Sequence, residues 1–280
     1  MIFNKIKLLF VRYFRRGNVL KISPESRFDY LSKKQLKRTT VSVYGTSVLI
    51  VGRGASLVGV RIHIESGSSI SIGENVKMRN AYLCAKNNSQ LIIGSESEFD
   101  GVVVSVEKGI ADFSKANVVS RGERVDIPNI VISDGTLNVG EHNVIKSSFW
   151  VRFGGEVKIG KYNCINEGSE IRCDEEVVIG SYNMISYNCD IWDTNTHSWY
   201  DYETKKNMFE NDFPIIGLEK NKPNTKPIHI GNGNWVGKYA CLLKGTTLGN
   251  CATVGTRTVV ANQNVESGAT IVSSKSVVIN

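Results

Sequence analysis

The chain has four histidines, and His63, His142 and His229 stand inside regular, short-period sequence. His197 alone stands in a polar stretch, DTNTHSWYD, which runs from Asp193 to Asp201. An imidazole titrates near pH ~6.5, so its neutral form can take a proton from a hydroxyl as that oxygen attacks an electrophile. The plainer reading is a solvated loop histidine. A base of this kind also needs a group to hold its other ring nitrogen. Asp193, Asn195 and Asp201 are the candidates, and spacing alone does not rank them. A second group follows. Trp235 puts a large aromatic where the surrounding pattern is polar, as a packing plug or as a platform for a ligand. Gly237 and Gly255 are 18 residues apart. Their backbone groups either bond an extended amide chain or simply turn corners. Lys238, Lys244 and Arg257, with Thr256 beside the last, bring positive charge to the same stretch, to meet phosphates or as solvated surface charge.

These side chains need a scaffold, and the scaffold is written as a repeat. Ile230, Val236, Leu242, Leu248, Val254 and Val260 are aliphatics at every sixth position. Ile159, Ile165, Ile171 and Val177 keep the same spacing, as do Ile179, Ile185 and Ile191, Val139 and Ile145, and Ile64, Ile70 and Val76. Gly often follows the aliphatic, as at Gly73, Gly140, Gly160, Gly180, Gly231 and Gly249. Six residues hold one short strand and one tight turn. Three such units close a triangular coil, and coils stack as parallel strands ~4.8 Å apart. The aliphatic fills the triangle, and the Gly or Asn is expected at the corner, where positive φ is cheap. About ten coils fit between residues 41 and 280 at this per-coil length. Two stretches break the rhythm, residues 110–130 and the longer, aromatic-rich 192–227. A long insertion in a rigid solenoid is where function is usually carried.

Composition bounds the rest. A chain of 280 residues with 41% hydrophobic and 22% charged residues is long enough for a large core. A net charge of +7 favours anionic partners. The basic residues are dispersed and carry no nucleic-acid motif, so no nucleic-acid partner is expected. None of the six cysteines forms a C-x-x-C pair, which predicts reduced thiols and no metal site. No apolar run is long enough to span a bilayer and no signal peptide is evident, so a cytoplasmic protein is expected. Residues 1–16, MIFNKIKLLFVRYFRR, space apolar residues at three and four among five basic ones. That spacing predicts a short amphipathic helix, lying on the inner face of an anionic membrane or capping the open end of the core. Residues 17–40 read as a connector, so the first segment is 1–40 and the repeat domain is 41–280.

The stretch from Asp193 to Asp201, followed by PIHIGNGNWVGKYACLLKGTTLGNCATVGTRTVV from Pro227 to Val260, resembles the hexapeptide-repeat acyltransferase superfamily. Within it the match is to the sugar and polysaccharide O-acetyltransferases, whose pattern is Asp-x-x-x-His, a loop, then Ile-Gly-x-x-x-Trp-Ile-Gly. The resemblance covers roughly residues 41–280 as repeats and is most specific over 185–262. It implies an all-β, left-handed parallel β-helix with an inserted loop at about 192–227, packed as a homotrimer. It implies His197 as catalytic base, with Asp193 matching the orienting position best and Asn195 beside it. It also implies acetyl-CoA as donor and a carbohydrate acceptor, such as a bacterial surface polysaccharide or its precursor. The pantetheine would lie over Trp235, Gly237 and Gly255, and transfer would be direct. Members commonly end in Gly-Asn-Pro-Ala-Lys, whereas this chain ends IVSSKSVVIN, so Lys275 takes no cofactor role by match. Two other readings compete: an N-acyltransferase on an amino-sugar nucleotide, and a non-catalytic structural or binding β-solenoid.

Overall fold

The structure, a computed structural model, describes residues 10–14, 17–30, 35–123, 127–214 and 219–273. Its strands form three sheets, which are the three faces of a triangular prism. The first face holds 12 strands, from Phe10–Phe14 to Val259–Ala261. The second holds 11, from Arg27–Tyr30 to Asn264–Val265, and the third holds 11, from Leu36–Lys37 to Thr270–Ile271. The chain visits first, second and third face in turn and then repeats. Every pairing among the described strands is parallel except one, where Phe10–Phe14 runs antiparallel to Asn18–Ile22. This is the parallel β-helix that the six-residue period predicts, with one α-helix among the described residues, and it is consistent with the left-handed form.

Each sixth-position aliphatic points inward. Ile230, Val236, Leu242, Leu248, Val254 and Val260 are all buried. Residues one coil apart pair in register, as Ile191, Leu242 and Val260 do on the first face. Each such side chain contributes about 1.5–3 kcal/mol through burial. Polar ladders line the corners inside. The side-chain oxygens of Asn117, Asn143, Asn163, Asn183 and Asn234 each accept the backbone N–H one coil on, at 2.7–2.9 Å.

Four expectations change. The column glycines are not at positive φ. An added Cβ at Gly140, Gly160, Gly180 or Gly231 would lie 2.5–2.7 Å from the next glycine's carbonyl oxygen, so these sites need glycine for close stacking of coils. Positive φ falls two residues later, at His142, Tyr162, Tyr182 and Gly233. Next, the repeat begins upstream of residue 41. Asn18–Ile22, Arg27–Tyr30 and Leu36–Lys37 make a full coil where a connector was expected, because short alternating runs such as NVLKI suffice for one rung. Residues 10–14 are strand, not helix: pairing with Asn18–Ile22 uses an edge that a helix would leave bare. The remainder of the helix expected over 1–16 lies outside the described residues. Finally, the break at 110–130 is narrower than the sequence suggests. Gly109–Phe113 and Val118–Ser120 are regular rungs, and the chain departs only after Ser120.

Candidate active site

The insertion leaves the first face after Asp190–Trp192 and returns to the second at Ile228–Ile230, so it springs from the corner between them. It is not only loop. Helix α1, Tyr202–Asp212, starts at Asp201, whose carboxylate accepts the Thr204 N–H at 2.8 Å and the Thr204 hydroxyl at 3.0 Å. An Asp before an acidic first turn is a helix-start signal that the aromatic-rich composition obscured.

His197 lies on the wall of a cavity of about 320 Å³ in this insertion. Ser198, Tyr200 and Glu219 line it together with Lys205, Met208 and Phe209 of α1. The His197 side chain is 57% exposed and its Nδ1 is 3.4 Å from Oε2 of Glu219, whose own side chain is 2% exposed. Glu219 is well held. Tyr200 donates its hydroxyl to Oε1 at 2.6 Å, and the Ser198 N–H points to Oε2 at 3.3 Å. Burial pushes the Glu219 carboxyl up, but the bonds from Tyr200, Ser198 and His197 outweigh it, and its pKa falls below the ordinary value.

Glu219 therefore stands where the sequence offered Asp193, Asn195 or Asp201. Asp193 is fully buried and faces the solenoid. Its carboxylate accepts the backbone N–H groups of Asp174, Glu175 and Glu176, each at 2.8 Å, and so closes the turn beneath the insertion. Burial raises its pKa against the pull of those donors. Asp201 caps α1, and Asn195 ties the two arms of the insertion together through its N–H to Asn224 O at 3.1 Å. Spacing missed Glu219 because the chain travels 22 residues from His197 before returning beside it.

The second predicted group divides. Trp235 lies on the third face, 55% exposed, paired in register with Met184 and Thr253. It is no packing plug. Gly237 and Gly255 do stack: a Cβ on Gly237 would meet Thr256 N at 2.7 Å and Gly255 C at 2.9 Å. Their N–H groups are not free for an amide chain, because each bonds the coil above, Gly237 to Val254 O and Gly255 to Ile271 O, both at 2.8 Å. Lys238 and Arg257 gather at the corner between the third and first faces, 4.9 and 5.5 Å from the Tyr239 ring, with exposed Thr256 beside Arg257. Lys244 does not join them. It follows the strand Cys241–Leu243 that Lys238 precedes, so it occupies the corner of the insertion. Lys275 lies outside the described residues. No cluster of three or more His, Cys, Asp or Glu able to hold a metal ion occurs among the described residues.

No protein-family model matches this chain, and no curated protein matches it. Solved structures do resemble it. One is a hexapeptide-repeat-containing acetyltransferase from Vibrio cholerae O1 biovar eltor, complexed with acetyl coenzyme A. It is 20% identical over 49% of this chain and 66% of its own, just under two thirds, with a TM-score of 0.38. Another is the polysialic-acid-specific acetyltransferase NeuO, 17% identical over 81% of this chain and 79% of its own, with a TM-score of 0.39. A third is the polysialic acid O-acetyltransferase OatWY, 20% identical over 84% of this chain and 81% of its own, with a TM-score of 0.38. At such identities and scores, no activity passes from them to this chain.

Proposed function

We propose that the protein is an acetyl-CoA-dependent O-acetyltransferase that acts on a sugar hydroxyl of a bacterial surface polysaccharide or its precursor. The observation that carries this reading is the His197 imidazole on a cavity wall, with the buried, ionised Glu219 behind it. His197 takes the hydroxyl proton as the sugar oxygen attacks the acetyl thioester, and coenzyme A departs as its thiol. No covalent enzyme intermediate is needed. Burial pushes the Cys189 thiol up to about 11 and raises Cys173 further, which leaves neither as a ready thiolate. Phe209, Met208 and Tyr200 offer apolar surface to a sugar ring. On the donor side, exposed Trp235 suits a pantetheine arm, and the cationic corner of Lys238 and Arg257 suits phosphates.

The same reading includes a homotrimer. The insertion springs from the corner opposite the third face, which carries Trp235, and a trimer sets the insertion of one chain beside the third face of the next. Two unpartnered surfaces support this. Helix α1 buries no residue, and Trp199, Tyr202 and Phe213 around it are 87%, 75% and 76% exposed. The third face carries an exposed apolar column, Val118, Met184 and Trp235, beside Tyr162 and Tyr182. Peripheral contact with an anionic membrane surface through residues 1–16 belongs to the proposal as well. No described helix is long and apolar enough to cross a membrane.

Incubation with acetyl-CoA and a panel of capsule and lipopolysaccharide sugars, read by mass spectrometry, tests the activity. An acetyl ester on one sugar, with stoichiometric release of coenzyme A, is expected. Acetylation confined to amino groups, or none on any acceptor, overturns it.

A further inference from the structure

The cavity contains an acid that the sequence pattern does not mark, and its surroundings dictate what it does. Glu219 offers two oxygens. Oε1 is taken by the Tyr200 hydroxyl at 2.6 Å, and Oε2 faces the Ser198 N–H at 3.3 Å and His197 Nδ1 at 3.4 Å. Both other neighbours donate, so Glu219 is held as an ionised acceptor, in keeping with its lowered pKa. A carboxylate cannot donate to a ring nitrogen, so the only favourable contact at Nδ1 is with an Nδ1–H. We infer that Glu219 is a positioning residue that keeps the neutral His197 proton on Nδ1 and leaves Nε2 bare as the proton acceptor. The Tyr200 bond fixes the carboxylate, and Ser198, next to His197, binds the same carboxylate through its backbone. The ring and its partner are thereby held by adjoining parts of one loop.

A contact of 3.4 Å is long for a hydrogen bond and ordinary for a base without its substrate. The assignment rests on the proposed transferase only for its consequence in turnover; the position of the ring proton is independent of it.

The test uses the full chain labelled with ¹⁵N-histidine, with His197 resonances identified by their loss in His197→Ala. At neutral pH the long-range ¹H–¹⁵N pattern of His197 is expected to show Nδ1 protonated and Nε2 bare. In Glu219→Ala the ring should drift toward the Nε2–H form that free imidazole prefers. kcat should then fall by at least about 10-fold, as when a triad loses its orienting carboxylate, while KM for acetyl-CoA stays put. A wild-type His197 carrying its proton on Nε2 overturns the inference without Glu219→Ala having to fold. An unchanged tautomer in folded Glu219→Ala overturns it too. If His197→Ala instead retains turnover, the general-base role of His197 fails, while the wild-type ring spectrum still decides the role of Glu219.

Discussion

His197 combines exposure with a buried acidic partner, and that combination sets what its removal does. His197→Ala should lower kcat by about 10²–10⁴-fold, the usual cost of losing a general base, and leave KM for acetyl-CoA nearly unchanged, because Trp235, Lys238 and Arg257 lie elsewhere on the prism. Cys164→Ala or Cys189→Ala should keep near-full turnover; an acetyl-enzyme trapped on either thiol would show a different mechanism. Glu219 predicts a pH dependence with a definite sign. Its folded pKa lies below its unfolded one, so the folded state binds the proton less tightly. Its contribution is complete above the ordinary glutamate value of about 4.3 and is lost as pH falls through the lower folded value. The protection factor of the Ser198 amide, its exchange measured against the intrinsic rate at each pH, should therefore fall in acid, and Glu219→Gln should flatten that dependence. A protection factor that rises in acid would reverse the assigned sign.

The rungs and corners of the solenoid tolerate different changes. Ile171 is fully buried, so Ile171→Ala should cost about 2–5 kcal/mol by urea unfolding, from lost burial and an unfilled cavity. Gly180→Ala pushes a Cβ to 2.6 Å from Gly231 O, and strain of this kind should cost about 1–3 kcal/mol. Full stability in Gly180→Ala would mean that the coils are not stacked as closely as described. Helix α1 behaves differently, because none of its residues is fully buried within one chain. Asp201→Ala removes its cap and should fray α1 while leaving the solenoid melting transition unmoved, as separate circular dichroism and calorimetric traces can show.

Across the whole molecule, the exposed apolar surfaces on the third face and on α1 predict an assembly. Light scattering at assay concentration should give about three times the 31.0 kDa chain mass. A 31.0 kDa particle that turns over sugar would remove the need for a neighbour. Assembly should weaken when Trp235 or Met184 is replaced by a charged residue, since both are more than half exposed on one chain. The membrane proposal calls for a specific truncation. Phe10–Phe14 covers the edge of the first face, so the deletion should stop at residue 9 to leave that strand in place. Loss of binding to anionic liposomes with unchanged turnover on soluble acceptors supports membrane contact; equal binding before and after rejects it.

The sequence by itself determined the solenoid. A period of six fixes which side chain points inward at every rung, and Ile159, Ile165 and Ile171 or Leu242, Leu248 and Val254 can be placed in the core without coordinates. It also singled out His197, because a lone histidine in a polar insertion stands out against a strict repeat. What the repeat could not show was anything requiring two distant segments to meet. Glu219 reaches His197 only because the insertion folds back through α1, and Asp193, the best match to the family pattern, is drawn inward by three backbone N–H groups. Lys244 looks adjacent to Lys238 in sequence, yet one strand of the first face separates them onto different corners. Periodicity reports the direction of a side chain relative to its own strand. The partner of a loop side chain is set by packing and hydrogen-bond satisfaction across the fold, and only the tertiary structure decides it.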